Sequence, residues 1–153
     1  MVKFLKALAV IFLLATSATA QKQSVDNTGS PDPATAIRAV MEAQVAAWNR
    51  HDLEGFMAGY WKSPDLTFFS GTTETQGWEP TLERYRRTYQ AEGHAMGTLS
   101  FSDLQIQALA PDAAFVRGKF QLLMPDGKQS HGVFTLIFRK FPDGWRIIHD
   151  HTC

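Results

Sequence analysis

The chain has 153 residues, 15 basic against 15 acidic side chains, and 44% hydrophobic residues. That length and apolar share suit one domain around one core. The balanced charge argues against the basic footprint of a nucleic-acid or anionic-membrane binder.

Residues Met1 to Ala20 read as a secretory signal peptide. Lys3 and Lys6 form a basic start, and Ala7 to Ala15 is an apolar run. The run is shorter than the roughly 20 residues a membrane span needs. Ala18-Thr19-Ala20 has the small-x-small pattern of a cleavage site. The expected mature chain starts at Gln21, is exported to a periplasm or the outside, and keeps no membrane segment. Cys153 is the only cysteine, so no intramolecular disulfide forms despite the oxidising compartment that export implies.

Residues 21–32 are polar without apolar period and read as a flexible linker, which leaves 33–153 as the folded domain. Asp32-Pro33 supplies a helix start, with Asp32 as N-cap and Pro33 in the first helical position. Ile37, Val40, Met41, Gln44, Ala47 and Trp48 follow at helical spacing, predicting a helix to about Asn49. Asp52 caps a second, shorter helix with Leu53, Phe56, Met57 and Tyr60 on its apolar face. His51 sits at the junction between the two.

Leu66 to Ser70 reads as a short strand and Gly71 to Gln76 as a turn. Gly77 to about Gln90 reads as a third helix, with Trp78, Leu82, Tyr85 and Tyr89 on one stripe. From Thr98 the pattern switches to strands. Leu99 and Phe101 share one parity, whereas Leu104 and Ile106 share the other. Such a slip marks a β-bulge near Ser102-Asp103, which would curl the sheet. Ala113 to Met124, Gly132 to Lys140 and Trp145 to Thr152 complete an antiparallel meander. The expected fold is therefore α+β, a curved antiparallel sheet covered on one face by about three N-terminal helices.

The last hairpin decides what faces the helices. With Phe141 to Gly144 as a four-residue loop, Lys140 pairs with Trp145, Phe138 with Ile147, Leu136 with His149 and Phe134 with His151. Phe134, Leu136, Phe138 and Ile147 then line the apolar side, and His149 and His151 point inward with them. A loop of other length would turn both imidazoles outward. Asp150 falls on the opposite, partly polar face, with Thr135, Arg139, Arg146 and Thr152. Val133 and Ile137 share that face, which suits a subunit contact or a solvated surface.

An inward His149 and His151 pair beside aromatic walls would be the candidate catalytic groups. Burial lowers an imidazole's pKa and leaves it neutral as a base. Tyr60, Trp61 and Tyr89 would reach the cavity from helix ends and add apolar walls with polar tips. The chemistry this suits is proton abstraction next to a carbonyl, in isomerisation, dehydration or cyclisation of a small hydrophobic substrate. The same histidines also suit a structural role in the core or in a subunit contact. Zinc would require a third ligand, and none has the spacing, so no metal is expected. No phosphate loop, dinucleotide motif or nucleophile elbow is present, and no cofactor is expected.

Three segments carry a family resemblance: Ala46-Ala-Trp-Asn-Arg-His-Asp-Leu-Glu-Gly-Phe-Met-Ala-Gly-Tyr-Trp61, Gly77-Trp-Glu-Pro-Thr-Leu-Glu-Arg-Tyr85 and Asp143-Gly-Trp-Arg-Ile-Ile-His-Asp-His-Thr152. The chain resembles SnoaL-like domains of the nuclear-transport-factor-2-like superfamily, which includes ketosteroid isomerase and scytalone dehydratase. Its closing strand is also similar to that of the association domain of calcium/calmodulin-dependent kinase II. The resemblance implies a cone-shaped sheet around helices, a pocket at the open end, and a homodimer formed through the outer sheet face. It implies a small hydrophobic ligand but not one activity, since the fold hosts enzymes, non-catalytic binders and dimerisation or accessory domains. Ketosteroid isomerase works with an Asp base and with Tyr and protonated Asp donors. The acidic residues read near strand positions here are Asp65 and Asp103, and neither carries a family motif.

Overall fold

The computed structural model describes residues 32–153. The expected signal peptide and all but the last residue of the expected linker fall outside that range. The first helix, α1 (Pro33–Asn49), starts at the Asp32-Pro33 pair, with the Asp32 carboxylate accepting the Thr35 N–H. Its buried face is Ile37, Met41, Gln44, Ala47 and Trp48. His51 then takes a left-handed conformation, φ 65°, and lets the chain turn into α2 (Leu53–Met57). Asp52 caps α2 by accepting the Gly55 N–H at 2.7 Å.

The strand β1 (Thr67–Ser70) is followed by β2 (Thr73–Gln76), where the sequence suggests only a turn. Thr73-Glu-Thr-Gln76 has no apolar residue, so it carries no alternation to read. Next comes α3 (Trp78–Tyr89), entered through Gly77 at φ 94°, a conformation that favours glycine. Trp78 ties α3 to α2 by donating its indole N–H to the Met57 carbonyl at 2.9 Å.

The remaining strands are β3 (Thr98–Ala110), β4 (Ala113–Leu123), β5 (Gln129–Phe141) and β6 (Gly144–Thr152). The six strands form one sheet in the order β2-β1-β6-β5-β4-β3. All neighbours are antiparallel except β1 and β6, which run parallel. The sheet is thus mixed rather than a pure meander, because β1 docks beside the last strand. The fold is the α+β cone, with helices on the concave face. Trp48 and Asn49 fasten α1 to β3: the Trp48 indole donates to the Gly97 carbonyl, and Asn49 exchanges two hydrogen bonds with Leu99.

The β3 bulge lies where the apolar phase slips. Pairing with β4 shifts between Ser102 and Gln105, and Asp103 adopts φ 54°. The slip keeps Phe101, Leu104 and Ile106 all packed against the core. Gly118 on β4 leaves room for Phe134, since a Cβ there would meet that ring at 2.7 Å.

A second bulge reverses the expectation for the last strand. Lys140 pairs with Trp145 and Phe138 with Ile147, as the four-residue loop predicts. Between Phe138 and Ile137 the register shifts, and Ile137 faces His149. Ile148 is the extra residue. Beyond it the parity inverts: Leu136 faces Asp150 and Phe134 faces Thr152. Trp145, Ile147 and Asp150 are buried, whereas His151 is exposed. The inward reading of His149 and His151 is therefore corrected, and so is the outward reading of Asp150. The loop has the expected length; one bulged residue after it changes the face.

Candidate functional site

The site forms where the end of α2 meets β6 and β1. Gly59 accepts the Ile147 N–H and Trp61 donates to the Ile147 carbonyl, each at 2.9 Å. This parallel bridge places Tyr60 opposite Ile147. The Ile148 bulge then turns Asp150 toward Tyr60. The Tyr60 hydroxyl donates to one carboxylate oxygen of Asp150 at 2.7 Å, and the Thr152 hydroxyl donates to the other at 2.7 Å. Asp150 is only 3% exposed.

The carboxyl faces a cavity of about 560 Å³ within the cone. Trp48, Phe56, Phe68, Tyr85, Phe101 and Phe134 supply its aromatic walls, and Gln44, Arg84, His131 and Asp150 are among its polar groups. The aromatic rings interlock. Trp48 meets Phe56, Tyr85 and Tyr89 edge-on at 4.9–5.9 Å between centroids. Gln44 is held by donating to the Phe56 carbonyl at 3.1 Å.

Burial raises the Asp150 pKa to about 6, although the Tyr60 and Thr152 hydrogen bonds and the His151 charge act to lower it. Burial also pushes the Tyr60 and Tyr85 phenols well above their ordinary value, and the Asp150 charge adds to both. Tyr89 is raised too, by burial. The cavity thus holds a carboxyl poised near neutrality beside phenols that stay protonated. That is an acid–base group with hydrogen-bond donors in an apolar enclosure.

Of the residues expected to line this space, Tyr60, Tyr89, Phe134, Leu136 and Ile147 do so. Trp61 does not; it stacks on Phe141, with centroids 5.6 Å apart. Phe138 does not either, being fully buried in the core. His149 and His151 lie on the convex side, flanking Phe69 at 5.8 and 5.7 Å. His149 shares a hydrogen bond with Thr67 through Nδ1 at 2.7 Å. Burial, with help from the His151 charge, lowers its pKa. His151 Nε2 lies 3.6 Å from the exposed Cys153 thiol. Neither imidazole reaches the cavity, so a catalytic pair built on them loses its geometric basis. Asp65 is exposed, and Asp103 pairs with Lys119 at 2.8 Å on the surface. Among the described residues, no three His, Cys, Asp or Glu side chains converge as a metal centre requires. None of the described helices is long and apolar enough to cross a membrane.

Asp150, Tyr85, Gln44 and Arg84 are the site residues that sequence patterns did not assign. The adjacent Ile147-Ile148 pair was the available signal, because two consecutive apolar residues within an alternating strand mark a change of phase.

The architecture and the aromatic enclosure can be set beside known proteins. The SnoaL-like domain family matches residues 37–152. The chain belongs to this family. Among solved structures, this SnoaL-like protein is similar to an NTF-2 like protein of unknown function from Shewanella oneidensis MR-1. The two share 34% identity at a TM-score of 0.74, over 79% of this chain and 98% of that one. A nuclear transport factor 2 (NTF2-like) superfamily protein from Salmonella enterica serovar Typhimurium is 20% identical at a TM-score of 0.64, over 80% and 92% of the two chains. A protein with a cystatin-like fold from Caulobacter vibrioides is 22% identical at a TM-score of 0.60, over 78% and 87%. These last two likenesses speak to the fold alone. No curated protein matches the chain.

Proposed function

We propose that this SnoaL-like protein is exported and uses its cavity for acid–base chemistry on a small hydrophobic carbonyl compound, in isomerisation, dehydration or cyclisation. The observation that carries the reading is the Asp150 carboxyl, buried in an aromatic cavity between the Tyr60 and Thr152 hydroxyls, where burial raises its pKa to about 6. Near pH 7 most of it is ionised and acts as a base, yet its conjugate acid is strong enough to return a proton. Asp150 takes a proton from the carbon next to the carbonyl. The electron pair of the broken C–H bond forms a C=C bond, and the carbonyl oxygen becomes an enolate. Tyr85 and Tyr89 line the same space as neutral phenols, and an O–H donor favours that developing charge, while the Tyr60 O–H stays on Asp150. Protonation at a different carbon, or loss of a leaving group, completes the reaction.

Proton abstraction is tested with 2-tetralone in D2O, following deuterium uptake next to the carbonyl by NMR. The wild type should exceed the buffer rate by about a hundredfold or more, the scale of general acid–base catalysis. Asp150→Asn should remove the excess. Exchange no faster than buffer, or exchange unchanged in Asp150→Asn, overturns the catalytic reading.

A non-catalytic binding role has one observation in its favour. Both carboxylate oxygens of Asp150 already accept an internal hydrogen bond, as a purely structural carboxylate would. Ligand retention without exchange would select it. Homodimerisation is part of the proposal and draws on the outer sheet face, where Val133 is 53% exposed. Native mass spectrometry of protein recovered from cells reads subunit count, retained ligand and the mature N-terminus together. Export predicts a start at Gln21.

A further inference from the structure

Helix α3 carries three arginines close together, Arg84, Arg86 and Arg87. Two are matched on the surface: Arg86 pairs with Glu54 at 2.8 Å and Arg87 with Glu83 at 3.6 Å. Arg84 differs. It is half-buried, it lines the cavity, and among the described residues no carboxylate lies within ion-pair distance of it. Its guanidinium donates to the Thr75 hydroxyl at 3.1 Å and lies 5.5 Å from the centre of the Phe68 ring. A partly desolvated cation without a counter-charge is unfavourable, so an anion placed there gains more than it would in water.

Asp150 does not supply that counter-charge. Phe68 is its register neighbour in the sheet, and Arg84 is not among the groups that act on the Asp150 carboxyl. The positive charge is instead felt by Tyr85 and Tyr89, whose phenols it acts to lower. The cavity lining therefore carries an acidic group at Asp150 and a cationic one at Arg84 among its aromatic walls, and Tyr85 feels both charges.

Resting on the acid–base reading of this same cavity, we infer that its ligands are monocarboxylic acids with an aromatic or alicyclic body, the carboxylate held by Arg84. A guanidinium offers forked N–H donors that match a carboxylate. The Asp150 charge repels the anion and so favours the direction that puts the carboxylate on Arg84 and the reacting carbon toward Asp150. A single guanidinium among apolar rings fits one negative charge better than the double charge of a phosphate ester. The cavity size suits a body of one or two rings.

The test is calorimetric titration with 4-phenylbutyrate, its neutral amide 4-phenylbutyramide, and phenyl phosphate, at pH 7.5. The acid should bind at least about tenfold more tightly than the amide, and more tightly than the phosphate ester. Arg84→Gln should erase the acid–amide difference while leaving amide affinity within about twofold. Arg84→Lys should keep part of the difference, since it keeps the charge and loses the fork. Circular dichroism melts check that each variant folds. If Arg84→Gln does not fold, the wild-type comparison and Arg84→Lys still decide. Equal binding of acid and amide, preference for the phosphate, or no binding of any of the three overturns the inference. Asp150→Asn separates the two readings: it should keep the acid preference even where it abolishes deuterium exchange. Exchange without acid preference sinks the Arg84 subsite alone, and acid preference without exchange sinks the catalytic reading alone.

Discussion

On the inner side of β6, Asp150 meets Tyr60 and Thr152 in a closed aromatic space. One residue earlier, on the outer side, His149 meets Thr67 and Phe69. Both groups titrate, both are partnered, and they are consecutive in the chain. The inner carboxyl is raised toward neutrality by burial, whereas the outer imidazole is lowered, chiefly by the same effect acting on a cation. The pair teaches that residue type does not decide which group faces the cavity. The phase of the strand decides it, and here that phase is set by the single extra residue Ile148.

The widest separation of the two environments is expected in the core beneath the cavity. Phe138→Ala should cost about 3–5 kcal/mol, the scale for a fully buried aromatic side chain. It should leave ligand affinity nearly unchanged, because Phe138 packs the core and does not line the cavity. Urea unfolding and ligand titration together check this. An affinity loss as large as the stability loss would blur the line drawn between core and cavity.

Asp150 gives the next largest effect, and its sign depends on pH. Its folded value of about 6 lies above the ordinary 3.8. Between those values the folded protein keeps a proton that the unfolded chain has released. Stability therefore falls as pH rises through that window and stays lower above it, by about 3 kcal/mol in total. Asp150→Asn lacks this component, so relative to wild type it should gain by about that amount between pH 4 and pH 7.5. Urea unfolding at the two pH values measures it, and a difference that stays constant would refute the buried-carboxyl assignment.

Tyr60→Phe should cost about 1–2 kcal/mol by removing a donor from a buried acceptor. It should also raise the Asp150 pKa above about 6, as the lost hydrogen bond favours the charged form. Carboxyl chemical shifts followed against pH would show the movement. The smallest effects belong to the outer face. His149→Ala and His151→Ala should each change stability by about 1 kcal/mol or less and leave tetralone exchange within about twofold of wild type. A hundredfold loss in either variant would return the chemistry to the histidines.

Much of the frame was legible because apolar parity ran through it. Asp32-Pro33 announced α1, and Leu99, Phe101, Leu104 and Ile106 announced the β3 bulge. The Lys140–Trp145 pairing followed from the turn. The strand β2 was silent because Thr73 to Gln76 has no apolar residue to alternate. The end of β6 was silent for a related reason. After Ile148 the residues are His, Asp, His and Thr, polar at both parities, so hydrophobic pattern could not say which face was which. The site depended on that stretch. Five of the seven expected lining residues border the cavity, whereas alternation along the strand puts Asp150 on the opposite face.

The position of β6 between β1 and β5 bears on how the protein is made. The strand follows the other five in chain order, yet it joins β1 and β2 to the rest of the sheet. Until it emerges from the ribosome, β1 has no parallel partner and Tyr60 has no carboxylate to meet. A nascent chain must carry that open edge through the later half of its synthesis, and an unclosed aromatic hollow near its end, the state that chaperones are suited to shield.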